Sequence, residues 1–342
     1  MPETLLRDAL ERVVGGHDLD LGTARCVMDR IMDGSATPAQ IGALLAALRA
    51  KGESVDELAG FVQSMLDHST YVALRVPAID TCGTGGDGLC TFNISTAAAL
   101  VVAGAGCAVA KHGNRSVSSP CGSADVLEAL GVTVAIPPPA VQRCVEEAGV
   151  GFMFAPLYHP AMRHAAGPRR ELGIRTVFNI LGPLANPARV RRQVLGVSDR
   201  TLAPKMAAVL MRLGHERALV VTGPDGIDEL GIAGPSVCYD VSAGGVHETV
   251  IDPAALGVPS APVDALRGGD ADTNAARITA VLDGEHGAAR DVVAINAAAG
   301  LLVAGAATSL AEGLDRAAES IDSGAARERL RLLVEISGEA EH

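Results

Sequence analysis

Residues able to do chemistry gather in three short stretches. Gly83-Thr84-Gly85-Gly86-Asp87-Gly88 follows a short apolar run, and Gly83, Gly85 and Gly88 satisfy G-x-G-x-x-G. A dinucleotide site would also need an acid about 20 residues on, at the end of the next strand, to hold a ribose hydroxyl. No acid is available, because residues 88–124 contain neither Asp nor Glu, and the next apolar run ends in Lys111-His112-Gly113-Asn114-Arg115. Between the two runs, Thr91-Phe92-Asn93-Ile94-Ser95-Thr96 leads into an apolar helix. Backbone N–H groups, hydroxyls, cations and a helix N-terminus at consecutive strand ends make a place for a multiply charged anion. Taken singly, Ser95 or Thr96 reads as a helix cap, and only the coincidence of the segments makes them interesting. Lysine usage singles out Lys111, since Lys51 and Lys205 are the only others in a chain that otherwise uses Arg. A compact ammonium beside Gly and Asn suits a phosphate. Asp228-Glu229, in the loop Gly223-Pro-Asp-Gly-Ile-Asp-Glu, reads as a solvated loop in isolation and as a magnesium-holding pair beside an anion site.

These residues need a scaffold of alternating strands and helices. The first 70 residues read as helices only. Thr37-Pro38-Ala39-Gln40 and Ser54-Val55-Asp56-Glu57 are capping boxes before the stripes Ile41, Leu44, Leu45, Leu48 and Leu58, Phe61, Val62, Met65. From Val76 the character changes. Apolar runs at Ala78–Cys82, Cys107–Ala110, Val132–Ile136, Gly151–Ala155, Gln193–Val197 and Ala218–Thr222 predict strands. They alternate with predicted helices at Ser123–Leu130, Pro138–Ala148 and Leu202–Leu213. A hairpin is predicted over Val237–Val250, turning at Gly244-Gly245, and helices return from Asn274. The fold class is therefore α/β: a small all-helical domain (residues 1–73) packed on a large α/β domain (74–167 and 188–342) with a mostly parallel central sheet.

Composition narrows the function. The 342 residues carry 40 acidic against 28 basic side chains, a net charge of −12, with five Phe, three Tyr and no Trp. General nucleic-acid binding needs a positive surface and stacking rings, so this composition argues against it. Seven cysteines with no C-x-x-C or C-x-x-H spacing read as free thiols in a reducing compartment. With no basic leader and no apolar run of about 18 residues, the chain reads as cytoplasmic, with no membrane partner. There is no evident Ser-His-Asp or Cys-His arrangement, and His159 and His164 are off the helical spacing of a metal pair.

At these motifs the sequence resembles the anthranilate phosphoribosyltransferase family of tryptophan biosynthesis. The likeness runs through GTGGDG (83–88), TFNIST (91–96), KHGNRSVSS (111–119), GSADVLEALG (122–131), HPAM (159–162) and RRELGIRTVFNILGPLANP (169–187). The family is similar in fold to pyrimidine nucleoside phosphorylases. The resemblance adds residues 168–187 to the helical domain and implies a homodimer through that domain. It implies that Gly83, Gly86, Asp87, Thr91, Asn93, Ile94, Ser95, Thr96, Lys111, His112, Gly113, Asn114, Arg115, Ser116, Val117, Ser118, Ser119 and Ser123 surround phosphoribosyl pyrophosphate. Gly83, Asn114 and Arg169 would contact anthranilate, with Arg169 on its carboxylate. Ser95, Asp228 and Glu229 would hold Mg²⁺, two ions per subunit. No residue is a clear general base, because the aromatic amine attacks neutral; Lys111 and metal would stabilise the transition state, and His112 would orient the amine or serve packing. Pro120-Cys121 and Pro168 depart from the usual pattern and bear on loop shape. The alternatives are a paralogue acting on another aromatic amine, a nucleoside phosphorylase, and a non-catalytic nucleic-acid-binding relative.

Overall fold

The computed structural model describes residues 4–116 and 120–340. Four helices open the chain: α1 (Leu5–Val14), α2 (Leu21–Met32), α3 (Pro38–Lys51) and α4 (Val55–Asp67). Both capping boxes form, with the Thr37 hydroxyl accepting from Gln40 N–H and the Ser54 hydroxyl from Glu57 N–H. Glu57 is fully buried, and its carboxylate also receives Leu19 N–H (3.0 Å) and Lys51 Nζ (2.9 Å), so one cap residue fixes three segments. α2 and α4 cross at Gly60, where a Cβ would overlap the carbonyl of Leu21.

The rest of the chain alternates: β1 (Ala78–Gly83), α5 (Ile94–Gly104), β2 (Ala108–Gly113), α6 (Ser123–Ala129), α7 (Pro138–Arg143), β3 (Val150–Phe154), α8 (Ala155–Tyr158), α9 (Arg163–Leu172), α10 (Phe178–Leu181), β4 (Arg192–Gly196), α11 (Ala203–Arg212), β5 (Arg217–Thr222), β6 (Ser236–Ser242) and β7 (Gly245–Ile251). Helices α12 (Ala271–Leu282), α13 (Ala288–Ala304), α14 (Leu310–Asp322) and α15 (Ala325–Glu339) close it. The strands form one sheet in the order β3-β2-β1-β4-β5-β6-β7, parallel from β3 to β5 and antiparallel beyond. Alternation along the strands divides the core. Val194, Leu219, Val221 and Cys238 face the cluster around α5 and α13, whereas Leu195, Val220, Tyr239 and Val241 face α11 and the first four helices. Among the described residues no helix is long and apolar enough to cross a membrane.

Three expectations are corrected. Val132–Ile136 is not a strand, although Val132, Val134 and Ile136 are buried in strict alternation. The segment joins no ladder, being held by Ser337 Oγ, which accepts from Thr133 N–H (3.1 Å), and by the Tyr158 hydroxyl, which donates to the Ile136 carbonyl (2.8 Å). The hairpin turns one residue early, at Ala243-Gly244, because Gly245 at φ +115° already pairs with Ser242. Pro168 lies inside α9 and not in a loop, with its ring buried.

The order reverses between β1 and β4: the chain leaves β1 toward β2 and β3, then returns to β4 on the other flank. Parallel sheets bind ligands at the strand C-termini at such a switch point. From this side, α9 packs on α3 and α2, and Phe178, Leu181 and Leu184 join the buried cluster of the helical unit.

Gly60→Ala is expected to lower stability by about 1–3 kcal/mol by wedging α2 from α4. Denaturant unfolding checks this, and an unchanged midpoint would show that the crossing has slack.

Candidate active site

β1 and β4 run side by side to Gly83 and Gly196, which pair in register. A Cβ on Gly83 would overlap the Asp228 carboxylate, and one on Gly196 the Asp228 carbonyl. Only glycine at both positions lets the Asp228-Glu229 loop lie across the strand ends. From below, Asn296 on α13 holds that loop through Leu230, accepting from its N–H (3.0 Å) and donating to its carbonyl (2.9 Å). The glycine loop is turned by Gly85 and Gly86 at φ +65° and +74°, and Gly85 N–H donates to Asp228 Oδ2 at 2.7 Å.

The window that is free of acid in sequence is therefore not free of acid in space. Glu229 Oε1 accepts from Ser95 N–H (3.1 Å) at the N-terminus of α5. Neither Ser95 nor Thr96 caps that helix. The N-cap is Asn93, whose side chain instead accepts from Asn274 Nδ2 (3.0 Å), and the buried Thr96 hydroxyl has no hydrogen-bond partner among the described residues. Burial raises the pKa of both acidic side chains; the nearby Asp87 charge raises Asp228 further, and Asp228 does the same to Glu229. Carboxylates so crowded and desolvated favour a cation among them. Among the described residues no three His, Cys, Asp or Glu side chains close on one ion position, so a cation here would complete its shell with water and ligand oxygens.

Lys111 is buried, only 3% exposed, with its ammonium on the Ser95 hydroxyl (3.1 Å) and the Thr81 carbonyl. Asp80 lies beneath it, buried and pushed up to about 6 by desolvation, which Lys111 and an Asn186 Nδ2 donor at 2.8 Å partly offset. The neighbouring His112 is buried against His159, ring centroids 5.0 Å apart, and its Nε2 has no hydrogen-bond partner among the described residues. Burial first, then His159, pushes its pKa down to about 3.

The remaining expected residues occupy distinct places. Thr91 forms an isolated bridge to Arg267, and Ile94 is buried in the core. Gly113 lies where a Cβ would overlap the Ser123 hydroxyl, which itself donates to the Asn114 carbonyl (3.3 Å). Asn114 is exposed; Ser116 N–H donates to Asp125 Oδ2 (3.2 Å). Arg115 is engaged by Asp125 (2.8 Å) and Glu128 (2.5 Å) and lies over Phe154. Val117, Ser118 and Ser119 lie outside the described residues. Arg169 stands on α9, half-buried over the Phe178 ring at 5.2 Å, with no carboxylate partner among the described residues. Sequence reasoning missed Asn274, Asn296 and Gly196, which hold the site from outside its motifs, and Arg175, whose guanidinium covers Gly86.

A bundle of short helices beside a parallel sheet, with a glycine loop, a helix N-terminus and an acidic pair at the switch point, defines a class of enzyme handling phosphorylated sugars. Residues 7–69 match the helical bundle domain of the glycosyl transferase family and residues 75–327 match its a/b domain. The anthranilate phosphoribosyltransferase of Pelotomaculum thermopropionicum is 56% identical over 335 residues, covering 98% of this chain and 97% of the relative. That of Chloroflexus aurantiacus is 55% identical, covering 97% and 98%. Among solved structures, the Thermus thermophilus enzyme superposes with a TM-score of 0.92 at 44% identity, covering 97% of this chain and 99% of that one. The Saccharomyces cerevisiae enzyme in complex with PRPP and Mg gives 0.90 at 26% identity, covering 99% of each. The chain thus belongs to the glycosyl transferase family and, within it, to the anthranilate phosphoribosyltransferases.

His112 is expected to stay neutral throughout the working range. Its folded pKa lies below its unfolded one, so its contribution to stability falls as pH drops from about 6.5 toward 3. Proton NMR should show no His112 titration between about pH 5 and 8, and His112→Gln should flatten the acid limb of the stability profile. Titration near pH 6 would refute the assigned burial.

Proposed function

We propose that the crevice transfers the 5-phosphoribosyl group of phosphoribosyl pyrophosphate to the amine of anthranilate, giving N-(5-phosphoribosyl)anthranilate and pyrophosphate for tryptophan biosynthesis. The observation that carries this reading is the folding of Asp228-Glu229 onto the glycine loop and the start of α5. Hard-oxygen carboxylates, crowded and partly desolvated beside an anion cradle, fit Mg²⁺. When bound, Mg²⁺ would neutralise pyrophosphate oxygens as charge builds on them. Ser95, Asp228 and Glu229 would hold it, two ions per subunit being our reading of the paired carboxylates.

The backbone of Gly83, Gly86 and Asp87, with the hydroxyls and amides from Thr91 to Thr96, would line the phosphoribosyl side. Residues 111–119 and Ser123 would complete it. Burial of Lys111 makes its role indirect in this arrangement: it fixes Ser95 and adds positive potential behind the site. Arg169, a half-buried cation lacking a protein carboxylate, would take the carboxylate of anthranilate, with Asn114 beside it. The neutral amine then forms the N–C1 bond as the C1–O bond to pyrophosphate breaks, and the amine proton leaves afterwards. A neutral, buried His112 serves packing and orientation and not proton abstraction. Holding two substrates in line supplies much of the rate.

We divide the chain into a helical unit, residues 1–73 with 168–187, and an α/β unit, 74–167 with 188–342, the crevice lying between them. We further propose a homodimer through the helical unit. The cysteine usage, with no C-x-x-C or C-x-x-H spacing, supports a cytoplasmic setting.

Purified protein with Mg²⁺ and phosphoribosyl pyrophosphate should quench anthranilate fluorescence. Phosphorolysis of a nucleoside in its place would overturn the assignment. Replacing Asp228 by Asn together with Glu229 by Gln is expected to lower kcat/KM by about 100-fold or more with melting temperature held or raised, because crowded charges are removed. Arg169→Ala should raise KM for anthranilate by about 10- to 100-fold, the worth of a charged hydrogen bond, and leave KM for phosphoribosyl pyrophosphate nearly unchanged. The opposite split would assign Arg169 to the other substrate.

A further inference from the structure

The cations around the crevice differ in what already holds them. Lys111 is enclosed beneath the strand ends, Arg115 is paired with Asp125 and Glu128, and Arg169 rests on Phe178. Arg175 is exposed and makes no ion pair among the described residues. It sits between α9 and α10, just after the chain reverses at Gly173 (φ +62°). Its root is firm: Thr176 is buried with its N–H on Asn179 Oδ1 (2.9 Å), and Val177 and Phe178 are packed in the cluster of the helical unit.

From that root the guanidinium crosses to the glycine loop. Nη1 donates to the Gly86 carbonyl at 3.3 Å, its one hydrogen bond among the described residues. A Cβ on Gly86 would overlap the guanidinium, with Cζ 2.9 Å away, so the absence of a side chain at 86 is what admits it. One long bond to a neutral carbonyl leaves most of the five guanidinium donors free. The adjacent Gly85 N–H is already taken by Asp228, so Arg175 stands beside the acidic pair without pairing with it.

We propose that Arg175 reaches from the helical side of the crevice to contact the pyrophosphate of phosphoribosyl pyrophosphate directly. This rests on the function proposed above and adds a specific residue to it. As the C1–O bond breaks, its electron pair stays on the departing pyrophosphate oxygen, and the Arg175 N–H donors meet that charge without giving up a proton. A planar guanidinium engages two oxygens at once, which an ammonium cannot do.

The test compares Arg175→Ala and Arg175→Lys with wild type. Arg175→Ala should lower kcat/KM for phosphoribosyl pyrophosphate by about 100-fold, with KM for anthranilate and melting temperature unchanged. Arg175→Lys should recover only part of the loss, and added guanidinium ion should partly rescue the alanine variant. Calorimetric binding of magnesium pyrophosphate, which does not depend on anthranilate, should weaken about 10-fold or more in Arg175→Ala. Wild-type protein that binds pyrophosphate but does not consume anthranilate would sink the function while leaving this residue assignment testable. Unaltered pyrophosphate affinity, or a loss shared equally by both substrates and not rescued by guanidinium, would overturn the role of Arg175.

Discussion

Everything in the crevice depends on how closely one loop approaches two strand ends. Asp228 lies with its carbonyl against Gly196 and its carboxylate against Gly83, and any side chain at either glycine would lift it away. That approach places the carboxylate where Gly85 N–H can donate to it and brings Glu229 to the first turn of α5. Remove the approach and the same residues become two ordinary acids on a surface loop. Asn296, contributed by a helix far along the chain, holds the loop from the other side and makes the position independent of any ligand.

The second constraint is the cost of burying charge, several kcal/mol per ion unless partners compensate. Here the compensation is layered. Asp80 sits lowest, with Asn186 and Lys111 around it; Lys111 sits next, with the Thr81 carbonyl and the Ser95 hydroxyl; Glu229 lies above. A single buried lysine thus balances carboxylates on both sides, leaving an excess of negative charge at the top of the stack. Burial first, and then the neighbouring carboxylates, raises the pKa values of Asp228 and Glu229, and a hydrated cation would relieve that crowding. His112 and His159, buried and neutral, fill the adjoining space without adding charge.

Local grammar was legible because its causes are local. Capping boxes at Thr37 and Ser54, the alternation of apolar runs with helices, and the positive-φ glycines after β1 all report forces acting within a few residues. Val132–Ile136 shows the limit: alternating burial was real, but strand pairing is decided by a neighbour, and Ser337 and Tyr158 supply the bonds in its place. The acid-free run of residues 88–124 likewise gave only part of the local charge, since the acids that enter that space come from residues 228 and 229. Lys111 was notable for its rarity, but only packing places it behind the site. Asn274 and Asn296 carried no signal, because an asparagine in a helix gives no sign of the loop it will hold.

Two of the four arginines between residues 163 and 178, Arg169 and Arg175, tie the helical side of the crevice to the proposed chemistry. Arg169 and Arg175 are six positions apart, yet α9 ends between them at a left-handed Gly173, so they face different neighbours, the Phe178 ring and the Gly86 carbonyl. The sheet side of the crevice presents carboxylates, amides and hydroxyls, while its own cations are buried or paired. Arg169 and Arg175, which have no carboxylate partners among the described residues, come from the opposite side, on a segment whose α9 packs against α2 and α3. On the roles proposed for Arg169 and Arg175, two anionic substrates would find their full counter-charge only with both sides in place, which would make the relative position of the two proposed units an electrostatic condition for the reaction.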